Sequence, residues 1–318
     1  MLLLRYWGAK LAQSVFVLWA AFTLSFFILY GLPSDPVSLM LSQGGASGNL
    51  DPEAIAALNR EYGFDRPLVL QYVDHLGAFL RGDFGTSIEQ GQPVVDIVGR
   101  GIGSTTVLAL AGFGVAVALG LALAVVASST RMRWLRQVLQ SLPPLALSLP
   151  PFWLGLVLLQ LFSFTFHWFP SFGDRAPNTL VLPTLTLAIP VSATIAQVLT
   201  KNFLTTWQQP FVQVAQAKGL GRPRLLSRHV LRNAVIPALT MAGITFGHLL
   251  AGTVITETVF SRAGLGRVTQ QAVTQQDLPV VQFVVVLAAA IFVVVNLLVD
   301  GLYPVIDPRI RRRGLVAA

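Results

Sequence analysis

Long apolar runs separated by short polar stretches pattern most of this chain. Leu11 to Leu32 is a run of 22 residues without a charge, enough for a helix to cross ~30 Å of hydrocarbon at ~1.5 Å per residue. Comparable runs cover Thr105 to Ser128, Leu139 to Phe166, Leu180 to Leu199, Ala234 to Val259 and Val280 to Leu302. The pattern predicts six spans. The first is longer than the apolar region of a signal peptide and leaves through Pro33, Asp35 and Pro36 with no small-residue cleavage site, so it reads as an uncleaved helix.

The one sizeable polar stretch lies between the first two runs, from Gly31 to Arg100. It holds nine acids against four arginines. Asp51-Pro52-Glu53 reads as a helix start, with Asp51 as cap and Pro52 at the first helical position, running to Tyr62 before Gly63. A second helix fits Val69 to Leu80, where Leu70, Val73 and Leu76 recur at helical spacing. Gly82 to Ser87 then reads as a turn.

Prolines interrupt the middle runs. The third contains Pro143, Pro144, Pro150 and Pro151, and the fourth Pro183 and Pro190. A proline in a span frees a backbone carbonyl that neighbours or water must satisfy. The third run therefore reads either as a kinked packing helix or as part of the wall of a polar cavity. The second run is rich in Gly and Ala, which let helix backbones approach closely in lipid.

Charge sets the orientation. Fifteen of the 22 basic residues fall in the N-terminal end, the turn at Arg131 to Arg136, the stretch Lys201 to Arg232, and the tail Arg309 to Arg313. The basic side of a membrane protein is the cytoplasmic side, so both termini are expected inside and the acidic 33–100 segment outside. His167, Trp168, Phe169, Pro170 and Trp153 fit an outer interfacial belt. The organisation expected is a first span with its N-terminal end (1–32), an extracytoplasmic helical insertion (33–100), a core of five spans (101–303) interrupted by a cytoplasmic loop (201–235), and a basic tail (304–318).

Composition agrees and narrows the chemistry. The 318 residues are 54% hydrophobic and 11% charged, whereas a soluble domain is about a quarter charged. The net charge of +8 sits beside apolar spans and not among stacking aromatics on a soluble face, so nucleic acid is not an expected partner. There is no cysteine, which removes disulfide and thiol chemistry. The four His have no metal-ligand spacing. No GxxxxGK[ST], HExxH or GxSxG motif occurs. Ser192 and His248 form the one loosely eligible Ser–His pair for an intramembrane protease, with nothing to distinguish them. An enzyme is not expected.

The loop from Phe211 to Pro237 is the most informative stretch. It carries Lys218, Arg222, Arg224, Arg228 and Arg232 and no acid. Its first part can form a short helix with Val212, Ala215 and Gly219 on one side and Gln213, Gln216 and Lys218 elsewhere; Gly219 and Gly221 allow a sharp turn, and Pro223 stops the same helix continuing. VAQAKGL followed by RHVLRNAVIP resembles the cytoplasmic EAA loop of binding-protein-dependent ABC importer permeases, in the dipeptide/oligopeptide/nickel branch. The Glu-Ala-Ala positions fall on Gln213, Val214 and Ala215, so the last Ala alone matches. Gln216 stands where the branch usually has Arg. Further matches follow in order: DPV at Asp35, FDRPL at Phe64, GDFGTS at Gly82, QPV at Gln92, SLPPFWLG at Ser148, ETVF with GLGR from Glu257, DLPVVQ at Asp277 and DPR at Asp307. Ala263 replaces the branch's usual Pro.

This resemblance implies an all-α bundle of six transmembrane helices with a small extracytoplasmic insertion between helices 1 and 2. It implies a permease subunit of a prokaryotic inner-membrane importer for peptides or a related solute, a nickel complex included. The partners implied are a second, homologous permease, two cytosolic ABC ATPase subunits, an extracytoplasmic solute-binding protein and the lipid bilayer. ATP and Mg are expected on the ATPases, and no cofactor or metal on this chain. By resemblance, the ATPase-coupling residues are Phe211, Gln213, Ala215, Gln216, Lys218, Gly219 and Arg222. Candidate pathway residues are the polar or ionisable span residues Gln160, Gln197, His248, Thr253 and Glu257, with His248 read as a satisfied buried donor in preference to a proton relay. A self-sufficient secondary transporter is the rival reading. It calls for intramembrane carboxylates at a coupling-ion site, whereas Glu257 and Asp300 lie near span ends.

Overall fold

The computed structural model describes residues 2–31, 60, 65–130, 132–173 and 176–306. Among these the chain is helical, with one isolated bridge, Thr86 to Pro93, in place of any strand. The helices are α1 (Leu2–Tyr30), α2 (Leu68–Leu80), α3 (Val94–Ser129), α4 (Arg133–Ser148), α5 (Pro151–Leu158), α6 (Val181–Trp207), α7 (Pro210–Ala217), α8 (Arg222–Leu225), α9 (Leu231–Val259), α10 (Leu265–Thr274) and α11 (Leu278–Ile306). Wider i→i+5 turns continue α5 over Leu159–Thr165 and link α8 to α9 over Leu226–Val230. Four helices among the described residues are long and apolar enough to cross a membrane, and five if the bent pair α4–α5 counts as one span. The predicted fifth span falls within α9, which has 29 residues.

Two expectations change, and one further helix emerges. The second span was expected from Thr105, yet α3 begins at Val94, directly after Pro93. Asp96 in its first turn is favourable at a helix N-terminus, so a charge ended the apolar run without ending the helix. The third run is not one kinked rod. It turns through 104° between α4 and α5. Leu149 and Pro150 each precede a proline, which disfavours the α conformation, and both are extended (ψ 125° and 134°). Pro143 and Pro144, by contrast, lie within α4. The segment after Glu257 contains the ten-residue helix α10. The helix expected over Asp51 to Tyr62 and the DPR tail lie outside the described residues, apart from Arg60.

Two compact units divide the chain. The first comprises 1–103 and 263–293, the second 104–262 and 294–318. In the first, α2 lies on α1 through aromatic rings: Phe22 meets Phe79 edge-on (5.1 Å), Phe26 meets Tyr72 and His75, and the Tyr72 hydroxyl is bonded to Thr23 (2.9 Å) and Trp19 (3.1 Å). Buried Asp277, just before α11, accepts from Ser87 Oγ and from the Ile88 amide (3.2 Å). That contact joins two segments 190 residues apart. Val94, Val98, Leu265, Val280 and Val281 form the apolar core beside it.

In the second unit α6 is the central helix, packed against α4, α5 and α9. Leu187, Ala188, Ile195, Leu199 and Phe203 of α6 share one core with Leu108, Ala116 and Ala124 of α3 and Ala234, Ala238 and Leu249 of α9. Small residues set the spacing. A Cβ on Gly120 would lie 2.8 Å from the Ser192 carbonyl oxygen and 2.9 Å from Ile195 Cγ2, so only glycine permits this approach of α3 to α6.

Candidate functional site

Three helices and two turns build the site predicted from the basic loop. After α6 ends at Trp207, the amides of Gln208 and Gln209 bond back to Thr205 and Thr206. Gln209 is extended, and Pro210 opens α7 at its first position, where its missing N–H costs nothing. α7 closes with a Schellman motif. The Gly219 amide donates to Gln216 O (2.9 Å) and the Leu220 amide to Ala215 O (3.2 Å), with Gly219 at φ +82°. The sequence KGL is thus the stop signal of an eight-residue helix, and glycine supplies the left-handed residue it needs.

The two faces of α7 differ. Val212 is 1% exposed and belongs to the core shared by α3, α6 and α9, with Ala215 packed against it. Phe211 and Val214, two apolar residues, are 41% and 55% exposed, and Gln213, Gln216 and Lys218 are exposed beside them. The return strand of the loop is anchored too: Leu225 and Val230 are fully buried in the same core, and Asn202 of α6 donates to Ala234 O of α9 (3.3 Å). The backbone of Arg222 opens α8. The assembly is a short helix held between the ends of two long ones, with a face of apolar residues, glutamines and Lys218 left open.

The candidate pathway residues do not share one environment. Gln160 lies exposed in the wide-turn segment after α5, and Gln197 is exposed on α6. His248, expected as a buried donor, is exposed on α9. Thr253 is buried, with its hydroxyl bonded to Leu250 O (2.6 Å). Glu257 is fully buried on the same helix and accepts a hydrogen bond from Thr105 Oγ1 of α3 at 2.6 Å. Arg262, also buried, donates to Gly173 O (3.4 Å) and Ser104 Oγ (3.2 Å). Sequence reasoning passed over Arg262 and Thr105, since each acquires its role from residues distant in the chain, whereas Val212 and Ala215, grouped on one side of the short helix by their spacing, do share the core side. No group of His, Asp and Glu among the described residues is arranged to hold a metal ion.

Comparison with known proteins identifies the family of the chain. The family model described as "binding-protein-dependent transport system inner membrane component" matches residues 91–312, and the N-terminal model of the same kind of component matches 3–109. The glutathione transport system permease protein GsiC of Salmonella choleraesuis (strain SC-B67) is 34% identical over 288 residues, covering 91% of this chain and 92% of that protein. GsiC of Escherichia coli (strain K12) is 33% identical over 309 residues, covering 97% of this chain and 99% of the relative. The fold is similar to that of a chain in the MetNI methionine ABC transporter in an inward-facing conformation. The TM-score is 0.54 at 17% identity, with 66% of this chain and 96% of that chain covered.

Proposed function

The chain belongs to the binding-protein-dependent transport system inner membrane component family and is a permease subunit of an ABC importer; from that premise we propose that it forms half of a translocation pathway for a peptide-like solute. Relatives named for the transport of glutathione, itself a tripeptide, support that cargo class. In this reading six spans cross the inner membrane with both termini in the cytoplasm. A homologous permease supplies the other half of the pathway, a solute-binding protein delivers cargo from outside, and two cytosolic subunits bind and hydrolyse ATP with Mg.

The observation that carries the reading is α7. One face is sealed into the core by Val212 and the other presents Phe211 and Val214. Such a helix fits a groove on an ATPase, with Phe211, Gln213, Gln216 and Lys218 at the contact and Ala215 toward the bundle. Because Val212, Leu225 and Val230 tie both arms of the loop to α3, α6 and α9, displacement of α7 moves those helices. Interiors packed this densely transmit a shift and do not absorb it. Arg222, which follows the turn, would pair with an acid of the ATPase.

A mild-detergent pull-down of the tagged chain from its native membrane tests this. The expected companions are a P-loop ATPase and a second permease of the same family. A lone, stable chain that transports without ATP would overturn the reading in favour of a secondary transporter.

A further inference from the structure

One face of α2 is apolar and open. Val69, Val73 and Leu80 are 68%, 58% and 80% exposed, and half-buried Leu76 completes the stripe they form at helical spacing. A helix of a soluble domain turns such a stripe into a core. Here the packing on α1 uses a different face, that of Tyr72, His75 and Phe79.

Those contacts give the depth of α2. Tyr72 is bonded to Trp19 and Thr23, and Phe79 meets Phe22, so α2 crosses α1 at the level of residues 22 and 23. Thr23 lies seven residues before Tyr30, the last residue of α1, which is about 10 Å along the helix axis. That level is inside the charge-free run Leu11 to Leu32, which hydrocarbon surrounds when α1 spans. The contacts also give the rotation of α2. His75 meets Phe26 and Tyr30, toward the end of α1, whereas Tyr72 reaches back to Trp19. At about 3.6 residues per turn, going round from His75 past Phe79 and Tyr72 leads next to Leu76, Val69, Leu80 and Val73. The apolar stripe therefore turns toward the middle of the span. The opposite way round leads to Asp74, which pairs with Arg66 at 3.1 Å with both side chains well exposed.

We propose that α2 is an interfacial helix, with its Val69–Val73–Leu76–Leu80 stripe sunk among the acyl chains and its Asp74 edge at the headgroups. A helix in that posture buries its apolar face about 5–10 Å into the boundary between headgroups and chains, and it satisfies its backbone internally, as hydrocarbon requires. Continuity with the span identifies lipid as the occupant. Trp19 and Phe27, both against Tyr72, are themselves exposed on α1, and exposed Phe16 lies beyond Trp19. The stripe thus extends a surface that α1 already offers to the bilayer. Anchored in this way, α2 braces the C-terminal half of α1. The choice of the outer leaflet rests on the permease reading and its topology.

The chain has no cysteine, so one introduced cysteine carries one nitroxide label, and the complete importer with the unsubstituted chain supplies the background from its companions. With the importer in phosphatidylcholine vesicles, electron paramagnetic resonance reads collision of the label with oxygen, which concentrates in hydrocarbon, and with a nickel chelate, which stays in water. For Val73→Cys and Leu80→Cys the oxygen-to-nickel ratio should exceed that of Asp74→Cys by at least about fivefold. Equal ratios at the three positions would overturn the proposal. Poor collision with both reagents at 73 and 80 would show that protein covers the stripe, and would overturn it too. A label at Leu24→Cys, exposed on α1, reads the span independently. Hydrocarbon there with water at 73 refutes the interfacial helix alone, and water at both refutes the span of α1 as well. If Val73→Cys fails to assemble, Leu80→Cys decides. Co-purification of the ATPase with each variant is a separate readout of the permease reading.

Discussion

Thr105 of α3 donates its hydroxyl proton to the carboxylate of Glu257 on α9 at 2.6 Å, across 152 residues of chain and out of contact with water. The bond fixes the register of two long helices at one end of the second unit. Glu257 opens the ETVF segment, so the resemblance that flagged it and the contact that explains its burial meet in one side chain.

Thr105→Val keeps the shape and removes the donor. Loss of one hydrogen bond to a buried carboxyl group costs about 1–3 kcal/mol, so the melting temperature of the purified chain should fall by several degrees. Glu257→Gln, which still accepts from Thr105, should cost less. An unchanged melting temperature for Thr105→Val would show that the bond contributes nothing to the α3–α9 packing.

The α3–α6 approach predicts a contrast between two glycines of one helix. Gly120→Ala places a methyl 2.8 Å from the Ser192 carbonyl oxygen, which is backbone and cannot rotate away. Overpacking of this kind costs about 1–3 kcal/mol. Gly114→Ala meets nothing within 4 Å and should be neutral or slightly stabilising, because alanine is the better helix former. Thermal denaturation of both variants in the same detergent checks the pair. Equal melting temperatures would contradict the close approach.

In the first unit, His75 gives the contact of α2 with α1 a pH dependence. Burial among Phe26 and Tyr30 lowers its pKa below the ordinary 6.5, while the neighbouring Asp74 opposes the shift more weakly. Asp83 lines the same cavity of about 240 Å³. Undocked, His75 takes up a proton at about its ordinary pKa; docked, only at lower pH. The docked form is therefore fully favoured above 6.5 and loses stability as pH falls through 6.5 toward the lowered value. Hydrogen exchange of 68–80, corrected for intrinsic rate, should be less protected at pH 5 than at pH 8. His75→Phe should flatten that difference. Protection that rises toward low pH would reverse the assignment.

At the end of α7, Gly219→Pro removes the amide that bonds Gln216 O and forces φ from +82° to near −65°. On the proposed coupling role, uptake should fall at least about tenfold, while the chain still reaches the membrane because both flanking arms keep their core contacts. Normal uptake by this variant would exclude coupling through α7.

The runs of apolar residues were legible because lipid tolerates little else, and because a span must satisfy its backbone within one helix. Helix ends were less so. Asp96 and Arg100 interrupt the apolar pattern of α3 yet sit comfortably in its first two turns. The prolines at 150 and 151 signalled a distortion, but a 104° turn depends on what α5 packs against, and Phe260 and Thr186 meet Gly155 there. In the basic loop, KGL announced the turn. Helical spacing also grouped Val212 with Ala215 on one side, but that this side meets a core depends on residues of α3, α6 and α9 far away in the chain. The Ser87–Asp277 contact shows the same limit: GDFGTS and DLPVVQ were each visible, their meeting was not.

The opposed faces of α7 separate two kinds of change. Val212 and Ala215 answer to the bundle, and Phe211, Gln213 and Val214 to whatever docks on it. Substitutions on the outer face can therefore accumulate without eroding the fold. On the proposed coupling role, a duplicated copy of this chain could drift toward a different motor while keeping its own architecture, and a designer could exchange motors by rewriting three or four exposed positions of one short helix.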